Sequence, residues 1–322
     1  MKHIFVVNPV SGKGKSTAKI VDEINGYCSQ NGLNYTIHQT KAPGDGLEYA
    51  REMAATGEPM RIYACGGDGT LYEVVNGVYG YSNVEVAAIP LGSGNDFIRL
   101  FGTKEELVNI EAQVNGTAIE LDLIRCGDRL AINECSMGMD AEVCAKQFDF
   151  KKIPWLSGEA AYTVSLLWAF TKKIKSTFTV TIDDDEPFTE DVVFCYCGNS
   201  RWYGGGYMAG PIALPDDGWL DVVIVKKEMS RLKLLSLINK YKRGEHLDWD
   251  VTMFRRAKKV TVHCDTPAAV NVDGECDYVN DSSFEIIEKG IKFVIPTVSA
   301  YIQDRASGKI HGEMERYIAT KK

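Results

Sequence analysis

No hydrophobic run in this chain is long enough to cross a bilayer as a helix. The most apolar stretch, Ala160 to Phe170, is about half the required length and contains Thr163 and Ser165. A secretory leader is missing too, because the apolar run behind Lys2, Ile4 to Val7, stops at Asn8-Pro9. The nine cysteines, an odd number without regular spacing, form no disulfide framework and suit free thiols in a reducing compartment. A cytoplasmic protein is therefore expected. Positive charge is in deficit, with 36 Lys plus Arg against 44 Asp plus Glu and a net charge of −8. Nucleic acid is not an expected partner of so acidic a chain, a local basic patch aside. Internal repeats and low-complexity segments are absent.

What is present has the composition of a globular protein, 45% hydrophobic and 25% charged over 322 residues, enough for two domains with separate cores. The first 125 residues alternate strand-like runs (His3 to Val7, Asn34 to Thr40, Arg61 to Ala64, Val84 to Ile89) with helix-like ones (Ser16 to Gln30, Leu47 to Ala55, and from Leu71). Such alternation predicts a mostly parallel sheet with ligands beyond the strands' C-terminal ends. After Asp122 strand-like runs dominate: Leu130 to Cys135, Phe178 to Ile182, Asp191 to Cys197, Leu220 to Val225, Lys259 to His263, Ala268 to Val272 and Phe284 to Ile295. Turn signals separate them, and two helices are expected near 157–173 and 230–243. The expected architecture is α/β: a Rossmann-like nucleotide-binding domain, 1–125 joined by 300–322, and a mostly antiparallel, β-sandwich-like second domain, 126–299. The polar last twenty or so residues read as helical.

The most informative stretch is Gly66-Gly67-Asp68-Gly69-Thr70, directly after the third strand. Glycines there let backbone N–H groups approach phosphate oxygens, and the helix that follows adds its positive end. A carboxylate in such a loop repels phosphate unless it holds Mg²⁺ against the nucleotide. Without that role, Asp68 is an N-cap on a tight turn. Gly92-Ser93-Gly94-Asn95-Asp96 follows the next strand, and Asn8 to Ser16 adds Lys13 and Lys15 after the first. Three glycine-bearing loops at strand ends converge on one crevice. Competing motifs fail on spacing. Pro9 stands where a Walker A loop needs glycine, and Thr17 and Phe97 occupy the last glycine positions of the dinucleotide fingerprint. Cys195 and Cys197 lack a second pair for zinc, the five histidines are scattered, and a Ser-His-Asp triad has no local support.

Asn8-Pro9 with Ser11-Gly12-Lys13-Gly14, the two glycine loops with Phe97, and Val272-Asp273-Gly274-Glu275 together resemble the diacylglycerol kinase catalytic family. Within it the match is to the soluble bacterial lipid kinases, over essentially the whole chain. The glycine–aspartate loop is shared with NAD kinases and phosphofructokinases; the Gly-Asn-Asp-Phe loop and the late Asp-Gly-Glu select lipid kinases. The resemblance implies ATP in the cleft of a two-domain enzyme, with the lipid acceptor entering across the second domain. It further implies γ-phosphoryl transfer to a lipid hydroxyl, foremost diacylglycerol to phosphatidic acid. Thr40, Gly66, Gly67, Asp68, Gly69 and Thr70, on to Tyr72, and Ser93 fall where the family contacts ATP. Asp68 and Asp96 would organise Mg²⁺ and the triphosphate, Asn95 would bond to the nucleotide, and Glu275 falls at the general base. A structural Mg²⁺ is implied at the Leu214 carbonyl, the Asp217 carboxylate and the Trp219 carbonyl.

In one respect the chain departs from the family: the helix from Ala160 has no lysine until Lys172, which leaves Lys13 or Lys15 for the phosphates. Residues 226–259 hold 11 of the 36 basic residues and four acids, so peripheral contact with anionic lipid on the inner face of the membrane is a natural expectation. A solvated helix face with internal ion pairs has the same composition. A NAD kinase-like small-molecule kinase and a non-catalytic nucleotide- or lipid-binding protein stay open as alternatives. Phosphatidylglycerol, a sphingoid base or a polyprenol stay open as acceptors, and so does a homodimer.

Overall fold

Runs of apolar residues buried on both faces become parallel strands, because helices on each side of a sheet leave no polar face to solvate. Three of the first four strands follow that rule: β1 (Lys2–Val7), β3 (Met60–Gly66) and β4 (Val84–Pro90), while β2 (Tyr35–Gln39) is half-buried at the edge. The structure is a computed structural model and describes residues 1–13, 15–151, 164, 165, 168, 169, 171 and 175–310. It divides into two units, one of Met1–Leu121 with the chain from Gly290 onward, the other of Asp122–Lys289.

In the first unit the strands pair in parallel in the order β4-β3-β1-β2. Helices α1 (Lys15–Gln30), α2 (Asp45–Ala54) and α3 (Asp68–Val78) connect them. Ile20, Ile24 and Cys28 of α1 pack on Phe5, Val7, Tyr63 and Ile89 of the sheet. Two short helices, α4 (Lys104–Leu107) and α5 (Ile110–Val114), are capped by the side chains of Thr103 and Asn109. The last strand of the chain, β13 (Glu275–Ile295), ends here, with Phe293 parallel to Val86 of β4. Phe293 also packs edge-on against Phe97 at 5.4 Å, which anchors the chain just past the second glycine loop.

The second unit is built from the second half of β5 (Thr117–Cys126), β6 (Arg129–Ala131), β7 (Glu134–Gly138), β8 (Ser176–Ile182), β9 (Phe188–Gly198), β10 (Leu220–Lys226), β11 (Thr252–Ala257), β12 (Lys259–Val272) and most of β13. Pairings β11-β10-β9-β7-β12-β13 are all antiparallel. Strands β7 and β8 share one slot between β9 and β12: Gly138 lies opposite Phe194 of β9, and Ser176 opposite Val192. Helices α6 (Met139–Lys151) and α7 (Arg231–Lys242) belong to this unit, and α8 (Tyr301–Ala306) follows β13 in the first.

The expected mixed α/β architecture with an antiparallel second part is present. Local differences have local causes. Leu130 to Cys135 reads as one strand but breaks at Ile132–Asn133, whose N–H groups turn to the Asp273 carboxylate. Lys259 to Val272 is one strand with an irregularity between His263 and Ala268. Strand β13 begins at Glu275, nine residues before the expected Phe284, and β5, β11 and α6 were not anticipated. The expected helix near 157–173 lies mostly outside the described residues, as do Gly14, Lys172 and 311–322. Among the described residues no helix is long and apolar enough to cross a membrane.

Candidate active site

Strands β1, β3 and β4 deliver three loops to their C-terminal ends, and these loops interlock through glycine. A Cβ on Gly92 would stand 2.5 Å from the Gly67 Cα, and one on Gly66 would stand 2.1 Å from Thr70 Oγ1. The amides of Leu91 and Gly92 donate to the Gly66 carbonyl at 2.7 and 3.0 Å, tying the loops backbone to backbone. From β1, Asn8 Nδ2 reaches Thr70 Oγ1 at 3.5 Å, and Gly12, at φ 59°, lies under the Leu91 carbonyl. Most glycines here thus serve loop-to-loop approach rather than a ligand. Gly69 is different: it is exposed in the first turn of α3, and a Cβ there would meet no atom within 4 Å. The helix starts at Gly67 without a side-chain cap, so its N-terminal end is open to an anion beside Gly69.

Asp68 stands at the centre of this arrangement. Its Oδ2 accepts from the Asn95 amide and its Oδ1 from the Asp96 amide, both at 2.7 Å. It does not act as the N-cap of α3, which is Gly67. Burial lifts its carboxyl above the usual carboxylate range, and the amides of Asp96 and Asn95 oppose that shift. Gly94 must lack a side chain, since a Cβ would fall 2.6 Å from Asp68 Oδ2 and 3.5 Å from Asp96 Oδ2. Two carboxylates therefore flank one glycine. Asp96 is buried and ion-paired with Arg99 at 3.0 Å.

The other expected nucleotide residues divide. Thr40 is half-buried at the end of β2 and Ser93 is exposed on the second loop. Asn95 is buried at φ 52°, and its side-chain Nδ2 donates to the Gly92 carbonyl at 2.7 Å, holding the loop in place. Two cations escaped the sequence reading. Arg99 Nη2 donates to the Gly94 carbonyl at 3.0 Å and Lys104 Nζ to the Gly92 carbonyl at 2.9 Å. The spacing of Arg99 three residues after Asp96 on a helical turn was the available signal. Lys13 and Lys15 have side chains outside the described set.

In the second unit, Asp273 and Gly274 form a two-residue hairpin turn, with φ 49° and 101°, and Val272 pairs directly with Glu275. The Asp273 carboxylate accepts from the amides of Ile132 (2.6 Å), Asn133 (3.1 Å) and Glu134 (2.8 Å). The turn is thus fixed by its first residue, and Glu275 opens β13 with an exposed position. Below it, Asn271 Nδ2 donates to Glu134 Oε1 at 2.5 Å. Burial, then the nearby Asp140 and Asp273, pushes the Glu134 carboxyl far up. Asp140 is pushed up to about 6, again by burial.

The expected metal loop does not fit a divalent cation. The Asp217 carboxylate is ion-paired with the Arg256 guanidinium and accepts the Trp219 amide at 3.1 Å. Among the described residues no three His, Cys, Asp or Glu side chains gather to hold a metal.

Two family models match the chain: the diacylglycerol kinase catalytic domain over residues 2–126, and the YegS C-terminal NAD kinase beta sandwich-like domain over 133–294. The chain is 28% identical to a diacylglycerol kinase of Bacillus subtilis over 307 residues, covering 92% of this chain and 97% of that one. Its fold is similar to that of a diacylglycerol kinase of Bacillus anthracis, with TM-score 0.67 and 18% identity over 92% and 98% of the two chains. It is also similar to an NAD kinase of Archaeoglobus fulgidus in complex with ATP, with TM-score 0.52 and 14% identity over 97% and 99%. At these identities the two structures speak for the fold alone.

Proposed function

Because the chain belongs to the diacylglycerol kinase catalytic family and is a lipid kinase, we propose that it transfers the γ-phosphoryl group of ATP to the hydroxyl of diacylglycerol, giving phosphatidic acid and ADP. The observation that carries this reading is the pair of interlocked glycine loops spanned by Asp68, with the open α3 N-terminus and Gly69 beside it. Exposed N–H groups and a positive helix end receive phosphate oxygens, and Gly69 leaves room for them. Thr40, Thr70 and Ser93 supply hydroxyls at the same strand ends. Asp68 and Asp96 would hold Mg²⁺, which would supply positive charge against the phosphates. Phosphoryl transfer asks a protein mainly for position and electrostatics.

On the acceptor side, Glu275 takes the hydroxyl proton as the new P–O bond forms and the bond to ADP breaks. Its support is the Asp273 turn, which fixes the backbone that carries it, and the family motif. The acceptor sits in a bilayer, so the enzyme works at a membrane surface. Helix α7 is the contact we propose, since it presents Leu232, 79% exposed, beside Lys233 and Lys240. Labelled ATP incubated with diacylglycerol, phosphatidylglycerol, a sphingoid base, a polyprenol and NAD tests the proposal. Labelled phosphatidic acid as the main product is expected; label on NAD alone would refute it.

A further inference from the structure

Where the family resemblance puts a divalent cation, this chain holds a guanidinium. We infer that Arg256, with Lys258 beside it, takes over the structural role of a metal ion at the Leu214–Trp219 loop, so that the second unit folds without one. The inference is independent of which acceptor is phosphorylated.

A structural cation in such a loop cross-links a carboxylate to neighbouring oxygens. Strand pairing supplies the same cross-link from protein alone. Asp221 of β10 lies directly opposite Arg256 of β11 in the antiparallel ladder, which fixes the guanidinium over the loop. Its Nε donates to Asp221 Oδ1 at 3.0 Å, and its Nη2 donates to Asp217 Oδ2. The planar fork of arginine suits such bridging of two carboxylates, as a point-like ammonium does not. The side chains of Asp217, Asp221 and Arg256 are 6%, 1% and 18% exposed, so water cannot stand in for any of them.

On the carbonyl side a lysine reaches the residue next to Trp219. Lys258 Nζ donates to the Gly218 carbonyl and pairs with Glu288 at 2.6 Å. Both cations lie over the Trp219 ring, the Arg256 Cζ at 5.7 Å and the Lys258 Nζ at 4.4 Å from its centroid. Two further acids lie at the loop, Asp216 beside Asp217 and Asp122, which is held by backbone, accepting the amides of Gly218 (2.7 Å) and Lys289 (2.8 Å). Mg²⁺ needs oxygen ligands at roughly 2.0–2.1 Å in an octahedron. To reach Asp217 it would sit against a guanidinium already bonded there, and two like charges that close in a buried site exclude each other.

The test is thermal unfolding of the full-length protein without nucleotide, in EDTA and in excess Mg²⁺, for wild type, Arg256→Ala and Asp217→Asn. Wild type should melt at the same temperature in both. Arg256→Ala should lose roughly 5–10 °C in EDTA, because two buried carboxylates lose their partner, and recover part of that loss in Mg²⁺. A wild-type melting temperature that rises with Mg²⁺, with the rise abolished by Asp217→Asn, would overturn the inference. So would an Arg256→Ala protein indifferent to Mg²⁺. If Arg256→Ala fails to fold, Mn²⁺ binding to the nucleotide-free wild type, followed by electron paramagnetic resonance, decides the matter. No site sensitive to Asp217→Asn is expected, and finding a stoichiometric one refutes the idea.

Discussion

Replacing Asp68 by asparagine separates a loop clamp from a helix cap. The carboxylate accepts two amides, Asn95 and Asp96, at 2.7 Å each, one on each oxygen. Asparagine has a single acceptor oxygen, so one of those amides would face an NH₂ group. A hydrogen bond to a charged group is worth about 1.5–3 kcal/mol. Losing one and weakening the other, at a half-buried site, should cost about 2–3 kcal/mol of local loop stability. The Asn95 and Asp96 amides should then exchange with solvent deuterium about 30- to 150-fold faster than in wild type. Turnover should fall at least 10²–10³-fold, the usual cost of removing one group that stabilises transition-state charge. Mass-resolved hydrogen exchange with a kinase assay on the same protein reads both. If exchange rose at Thr70 and Leu71 while Asn95 and Asp96 stayed protected, Asp68 would be serving α3 alone. Near-normal turnover would remove it from the site.

Glu275→Gln keeps size and polarity but cannot take a proton, so kcat should drop about 10²–10⁴-fold with ATP affinity unchanged; a change within a few-fold would send the search for the base elsewhere. His246 is buried with its Nε2 3.1 Å from the Ala209 carbonyl, and burial holds its pKa down to about 4. The unfolded chain therefore takes up the proton first, and stability present above pH 6.5 is lost as pH falls towards 4, by up to about 3 kcal/mol. Denaturant unfolding of His246→Asn should show an acid-side loss of stability smaller by that amount, and an unchanged loss would contradict the assignment. Co-sedimentation with anionic vesicles should weaken about 30-fold when Lys233 and Lys240 are both replaced by alanine; binding blind to salt and anionic lipid content would rule out docking through α7.

Much of the first unit was legible because buried parallel strands are continuous apolar runs and their ends carry glycine. The loops containing Asp68 and Asp96 were found this way, but the reason for their glycines was not. Close approach of Gly67 to Gly92 is a property of two segments 25 residues apart, and no local pattern records it. Strand β11, Thr-Met-Phe-Arg-Arg-Ala, escaped notice because most of its residues are half-exposed and its two arginines break any alternation. That omission hid Arg256, whose role depends on strand register. The start of β13 was missed for a similar reason: Glu275 to Ser283 is mostly polar and gains its strand character from pairing with β12.

One slot in the second sheet is filled by two strands placed end to end. Gly138 closes β7 opposite Phe194, and Ser176 opens β8 opposite Val192, so the ladder along β9 passes from one strand to the next with a gap of one residue. Gly138 sits at the seam at φ 115°, where a Cβ would lie 2.8 Å from the Val193 carbonyl. After Gly138 the chain leaves the sheet as α6, and the ladder along β9 resumes at Ser176. Loop-closure entropy grows slowly with length, by about 0.6 kcal/mol per doubling. Changes of chain length beyond α6, whose Ala141 and Val143 are buried, should therefore leave strand register unchanged, provided glycine stays at 138.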